Sequence, residues 1–232
     1  MSSPLDSEED GGGAEDVFGA VEARGQEPGR IERAEVYTGR IVKLSLDEVR
    51  FPGGQTGELE HIRHPGASAV LPFLDPPTDP DPRVLLIRQY RYSAGGYLWE
   101  VPAGMPDSPQ ESWERCARRE LAEETGYRVG ELRYMTRIFT TPGFTDEQIH
   151  LFAAAELEAG ETQRDADEFL SVEALPFSQA VEGVRRGRIV DCKSVAAILY
   201  ADRFLSRSWA ENRPAPARWK AVEEVQGPRR RS

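Results

Sequence analysis

The chain has 232 residues, 39% of them hydrophobic and 30% charged, and carries a formal net charge of −11. That acidity argues against generic binding to nucleic acid or to anionic membrane surfaces, and no apolar run approaches the ~18–20 residues of a membrane span. Its two cysteines, Cys116 and Cys192, make no disulfide framework, and the acidic start lacks the order of a secretory signal, so a reducing, cytoplasmic setting is expected.

Residues 1–34 read as a disordered acidic tail. Asp6, Glu8, Glu9, Asp10, Glu15, Asp16, Glu22 and Glu27 face only Arg24 and Arg30 across positions 1–30, with three glycines at 11–13. Such a stretch buries too little apolar surface to offset its chain entropy. Residues 35–65 form a predicted strand subdomain, with strands over 36–38, 41–50 and 60–64, and turn chemistry at Phe51-Pro52-Gly53-Gly54 and Pro65-Gly66.

The body, 66–206, opens with strands over 69–74 and 83–90, read as paired core strands joined by the proline-rich loop 75–82. A short strand over 98–101 precedes a helix from about 110 to 124, stopped by Gly126. Strands over 133–139, 148–156 and 169–172 follow, then helices over 178–186 and 193–205. Strands interleaved with few helices predict an α/β fold, a mixed sheet covered by helices. Residues 207–232 are rich in proline and arginine, end in Arg229-Arg230-Arg231, and read as a weakly ordered tail whose Trp209 and Trp219 can dock on the body.

The most informative run is Arg119-Glu120-Leu121-Ala122-Glu123-Glu124-Thr125-Gly126-Tyr127. On a helix Glu120 and Glu124 share a face, with Glu123 one position aside, and like charges at that spacing repel by ~0.2–0.5 kcal/mol per pair. A hard divalent cation, which takes oxygen ligands and shares them with phosphates, would compensate. A solvated acidic face is the plainer alternative.

Upstream stand Glu100-Val101-Pro102-Ala103-Gly104 and Glu111, with seven residues between Glu111 and Arg119. Together these resemble the Nudix box: a glycine, five residues, a glutamate, seven residues, then Arg-Glu-apolar-x-Glu-Glu-x-Gly-apolar. One departure is that six residues, not five, separate Gly104 from Glu111. An insertion in a proline-containing loop should be absorbed before the helix begins. The resemblance implies an α/β/α sandwich behind the N-terminal strands, and hydrolysis of a nucleoside diphosphate linked to another moiety. Thr141-Pro142-Gly143-Phe144-Thr145-Asp146-Glu147, with Pro142 16 positions after Gly126, resembles the loop of the ADP-ribose pyrophosphatase branch. So do Arg88-Gln89-Tyr90-Arg91 and Gly95-Gly96-Tyr97, and the likeness covers about residues 35–205.

Site expectations follow. Glu120 and Glu124 are the expected metal ligands, with the Ala103 carbonyl as a third oxygen. Glu123 either joins them or points outward. Glu111 either reaches the cluster or pairs with Arg119, whose role would be to fix a ligand carboxylate. Mg²⁺, with Mn²⁺ as its alternative, is expected as two to three ions per site, neutralising the diphosphate and lowering the pKa of bound water.

In this branch the general base comes from an acidic loop after the helix, here Asp165-Ala166-Asp167-Glu168. Glu168 stands first and Asp165 second, against a solvated loop. Arg91 is expected on phosphate or ribose, its fork matching phosphate oxygens. Phe144 and Glu147 are expected at the terminal ribose, and Tyr37 near the adenine where the N-terminal strands cross to a partner subunit. His61, His64 and His150 lack metal-ligand spacing, and neither a Ser-His-Asp site nor a P-loop has support. The resemblance thus implies a cytoplasmic, homodimeric, Mg²⁺-dependent hydrolase taking ADP-ribose to AMP and ribose 5-phosphate. The alternatives are a sister enzyme for ADP-glucose or GDP-mannose, or a silent ADP-ribose-binding module. No nucleic-acid or membrane partner is expected.

Overall fold

The computed structural model describes residues 29–160, 170–205 and Trp209. Strands β1 (Gly29–Thr38), β2 (Lys43–Arg50) and β3 (Thr56–Arg63) form an antiparallel sheet in that order. The first strand begins at Gly29, inside the stretch expected to be tail up to 34. Its charge density misled because the charges pair across strands: Arg33 Nε donates to Asp47 Oδ1 at 2.7 Å, and Arg33 also reaches His61 Nδ1 at 3.2 Å. A backbone ladder from Gly29 opposite Arg50 to Thr38 opposite Lys43 completes the strand, with two register shifts.

The body contains β4 (Ala67–Pro72), β5 (Arg83–Arg91), β6 (Gly96–Glu100), β7 (Ala103–Gly104), helix α1 (Trp113–Thr125), β8 (Tyr127–Phe139), β9 (Gln148–Ala159), β10 (Leu170–Pro176), and helices α2 (Phe177–Arg185) and α3 (Cys192–Tyr200). The latter runs on as a wider π turn over Ala201–Leu205. One sheet has the order β7-β4-β9-β8, with β4 and β9 parallel and the other pairs antiparallel; the second has the order β10-β5-β6. Strand β4 is buried at every position, as a strand with both faces covered must be.

Side-chain alternation along the strands builds the two faces. Val70, Phe152 and Ala154 pack against Ala117 and Leu121 of α1, whereas Ala69, Leu71, Leu151 and Ala153 pack against Ala197 and Ile198 of α3 and Val84 and Leu86 of β5. Helices thus cover a mixed sheet on both sides, an α/β/α sandwich. Fully burying a side chain such as Leu121 contributes roughly 1.5–3 kcal/mol.

The expected pairing of the first two body strands needs correction. The strands expected to pair, β4 and β5, lie in different sheets: their side chains pack together in the core, but among the described residues backbone pairing is limited to the Phe73–Val84 bridge just past β4, with the Leu74 N–H to Arg83 O bond of 2.8 Å beside it. Prolines 76, 77, 80 and 82 turn the chain out of the sheet after that single bridge. The docking that the sequence allowed for Trp209 is observed: it packs edge-on against Phe73, lies under the Arg133 guanidinium at 4.3 Å, and donates to Glu131 Oε2 at 3.2 Å.

Candidate active site

Helix α1 starts later than expected because Ser112 caps it, its hydroxyl accepting the Arg115 N–H at 3.2 Å. It stops where Gly126 takes a left-handed φ of 78° and donates to Ala122 O at 2.9 Å. Between these ends, Cys116, Ala117, Glu120, Leu121, Glu124 and Thr125 face inward. Glu120 and Glu124 therefore do share the inner face.

Opposite them runs the segment that joins β6 to β7. Its placement is fixed three times: Val101 N–H donates to Ser194 Oγ at 2.8 Å, Val70 N–H donates to Pro102 O at 2.9 Å, and Ala103 N–H donates to Glu124 Oε2 at 3.0 Å. Gly104 is required by close approach, since a Cβ there would sit 2.1 Å from the Glu120 carboxylate. The additional loop residue leaves this contact intact. The loop closes through the Asp107 N–H to Glu111 Oε2 bond of 2.8 Å and the Glu111 N–H to Ser108 O bond of 3.0 Å.

Arg119 is the hub. It donates to Glu111 at 3.2 and 3.1 Å, Glu120 at 2.8 Å, Glu123 at 3.0 Å and Met105 O at 2.8 Å. Burial opposes its charge, but the surrounding carboxylates, Glu111 and Glu120 foremost, raise its pKa above the ordinary value. The Arg119 hydrogen bond in turn holds the Glu111 carboxyl below its usual range. Glu111 is thus an anchor for Arg119, its side chain 6% exposed, and it does not line the cavity beside the helix. Its carboxylate pairs with Arg119 in this structure.

That cavity, about 740 Å³, brings together Ala103, Glu120, Glu123 and Glu124 with Arg91 and Glu147. Among the described residues, seven acidic side chains line it against Arg91, Arg119 and Lys193. Such a wall repels a diphosphate unless cations intervene, and Mg²⁺ commonly binds through carboxylates and substrate phosphates together. Buried carboxylates, the glycine cradle against Glu120 and this acidic excess all fit divalent cations. Among the described residues no three His, Cys, Asp or Glu side chains converge as a finished ligand set. Glu120 and Glu123 are turned onto Arg119, and Glu124 onto the Ala103 amide.

Sequence reasoning missed a second charged network. Glu100, 1% exposed, takes both arms of the Arg91 fork at 2.8 Å and the Lys193 ammonium at 2.5 Å. Lys193 also lies 3.0 Å from Asp191, whose carboxylate caps α3 by accepting the Ser194 N–H at 3.0 Å. Burial pushes the Glu100 carboxyl up, but the Arg91 hydrogen bonds and the Lys193 charge prevail and hold it below its ordinary value. The available signals were an inward glutamate at a strand end and a lysine in the first turn of an apolar helix.

A stability consequence follows with a definite sign. A lowered folded-state pKa stabilises fully above the unfolded value and is lost as pH falls through the folded one. Glu100→Gln should cost about 3–5 kcal/mol at neutral pH by leaving buried cations unpaired. Melts between about pH 3 and pH 7 should show that gap narrowing below the ordinary carboxylate range. A constant gap would remove the ionised network as its source.

The 141–147 loop is stitched to the N-terminal sheet. Ile62 donates to Phe144 O at 2.8 Å and accepts from Asp146 N–H at 3.3 Å, and His64 N–H donates to Asp146 Oδ1 at 2.7 Å. Glu147 reaches the cavity, with Oε2 taking the Thr140 hydroxyl at 2.6 Å. Phe144 and Tyr37 stand 50% and 59% exposed, outside the cavity lining of their own chain. Asp165 and Glu168 lie outside the described residues. No helix among the described residues is long and apolar enough to cross a membrane.

The fold and the box define the class. The Nudix domain profile matches residues 63–198, more than half of the chain, which belongs to the Nudix family. The chain is 36% identical over 172 residues to the methanol dehydrogenase activator of Bacillus methanolicus, covering 73% of this chain and 90% of that protein. Over the same length and shares it is 34% identical to the ADP-ribose pyrophosphatase of Bacillus subtilis (strain 168). Its fold matches a crystal structure of an ADP compounds hydrolase with a TM-score of 0.66, at 20% identity, over 81% of this chain and 96% of the other.

Proposed function

We propose that this protein is a cytoplasmic, homodimeric ADP-ribose pyrophosphatase using Mg²⁺, with Mn²⁺ as its alternative, in two to three ions per site. The carrying observation is a single cavity that sets the carboxylates of Glu120, Glu123 and Glu124 and the Ala103 backbone beside Arg91 and Glu147. Similarity to the Bacillus subtilis pyrophosphatase supports the substrate.

Glu120 and Glu124, with the Ala103 carbonyl and Glu123, would hold the metal. When bound, it neutralises the diphosphate and brings water within reach of deprotonation near neutral pH. Arg91, already oriented by Glu100, offers donors to phosphate oxygens. Arg119 fixes the directions of Glu120 and Glu123. Water adds to one phosphorus, the bridging P–O bond breaks, and AMP and ribose 5-phosphate leave.

Glu168 takes the proton from that water in this reading. Supporting it, Leu170, two positions after Glu168 in sequence, pairs with Gln89, and Gln89 and Arg91 of that strand line the cavity. Glu168→Gln should lower kcat about 10²-fold, the lower range for general acid–base catalysis. Unchanged turnover would move the role to Asp165. The exposed Ile31, Val36, Tyr37, Val42 and Leu59 of the N-terminal sheet region support a second copy as partner, with residues 35–65 as the dimerisation unit and Tyr37 reaching the partner's adenine.

The test is product analysis with ADP-ribose, ADP-glucose, GDP-mannose and NADH in parallel, each with Mg²⁺ and with EDTA. Preferential, EDTA-sensitive release of AMP and ribose 5-phosphate from ADP-ribose bears the reading out. Preference for another sugar nucleotide overturns the substrate and keeps the chemistry.

A further inference from the structure

Gln89 is a polar residue at a place built for an apolar one. It lies in β5, the central strand of its sheet, between Leu98 of β6 and Leu170 of β10. By strand alternation it shares a face with Leu85, Ile87 and Arg91, and Leu85 and Ile87 are buried. Gln89 itself is only 9% exposed and lines the same cavity as the carboxylates of α1. Its Oε1 is closed off from solvent and, among the described residues, has no hydrogen-bond partner. Buried side-chain acceptors are nearly always paired, and a native exception calls for a reason. A leucine would fill the position without that cost.

We propose that Gln89 determines specificity by taking a hydrogen bond from a sugar hydroxyl of the nucleoside diphosphate sugar, an inference that rests on the hydrolase reading above. Diphosphate oxygens only accept, and Arg91, two residues along the same face, supplies their donors. The amide oxygen of Gln89 needs a donor instead, and the donors nearest a diphosphate in such a substrate are the hydroxyls of the flanking sugars. No Phe, Tyr or Trp lines this cavity among the described residues, so its walls are not built to stack a base. The terminal amide torsion is broad and nearly two-fold. A modest rotation therefore turns the amide toward an arriving hydroxyl, and no hydrogen bond to Oε1 from a described residue has to break.

The test uses wild type, Gln89→Leu and Gln89→Met with whichever sugar nucleotide wild type hydrolyses fastest, and with its single-deoxy sugar analogues. Wild type should lose about tenfold in kcat/KM on one analogue, the size expected for one neutral hydrogen bond. Gln89→Leu should lose a similar factor on the parent, mainly through KM, and treat parent and analogue alike. Its melting temperature should equal or exceed that of wild type, because a buried unpaired atom is gone. Gln89→Met provides the same reading should leucine prevent folding. Variants that discriminate as wild type does, or that melt lower with unaltered KM, overturn the proposal and leave the hydrolase reading standing. Failure of wild type to hydrolyse any sugar nucleotide overturns both.

Discussion

Glu124→Gln should lower kcat by about 10³–10⁴-fold at saturating Mg²⁺, since a catalytic metal contributes several kcal/mol of charge stabilisation and each 1.36 kcal/mol is tenfold. The fold should survive. Glu124 is 1% exposed, and its Oε2 accepts the Ala103 N–H at 3.0 Å. A glutamine oxygen can keep that bond, so the segment before Gly104 stays in place. Only the negative charge and one ligand oxygen are lost. Steady-state rates across Mg²⁺ concentrations, with melting curves on the same samples, separate the two. Activity within tenfold of wild type at high Mg²⁺ would dismiss Glu124 as a ligand.

Arg119→Ala should cost about 3–5 kcal/mol of stability, the range for stripping one partner from a buried charge pair. Its guanidinium serves Glu111, Glu120 and Glu123, whose side chains are 6%, 11% and 35% exposed. Without it three carboxylates crowd a partly dry space. Mg²⁺ should restore part of the loss, and more than it adds to wild type, because a cation in the cavity can serve Glu120 and Glu123. Glu111 lies outside the cavity lining and keeps its share of the penalty. Arg119→Lys should fall between, since an ammonium cannot reproduce the fork. Urea unfolding with and without Mg²⁺ decides. An alanine variant within 1 kcal/mol of wild type would mean the carboxylates rearrange freely, against roughly 3–5 kcal/mol for a fixed network.

The helical half of the site was legible because its information is local. Glu120 and Glu124 are set four apart by helix geometry, and Gly126 marks the end. Gly104 was placed by motif, and its reason, the missing Cβ against Glu120, emerged only in three dimensions. Glu100 and Lys193 could not be paired from sequence because 93 positions separate them and neither burial is encoded locally. Gln89 hid for a related cause: alternation marks it as inward, but not as unpaired. The entry into β1 was obscured by charge, and the start of β8 by a stretch where Tyr127 and Val129 alternate with arginine and glycine. The mixed sheet covered by helices followed from the interleaving of elements and the sandwich from the Nudix resemblance, whereas the division of strands between two sheets depended on a proline-rich turn.

The backbone bonds from Ile62 to Phe144 and Asp146 make the N-terminal sheet a measuring rod for the wall that carries Glu147. Its two ends are therefore unequal under insertion and deletion. The turn at 51–55 is an exposed tip, free to lengthen. The corner at 64–66 is a fixed mark: Gly66 holds φ at 88°, and a Cβ there would meet the Trp113 ring at 2.7 Å. One residue more before it slips the strand by one place and turns alternate side chains to the opposite face. His64 would leave its position 3.4 Å from Glu147. Lineages of this chain can grow at the tip and must keep count at the corner.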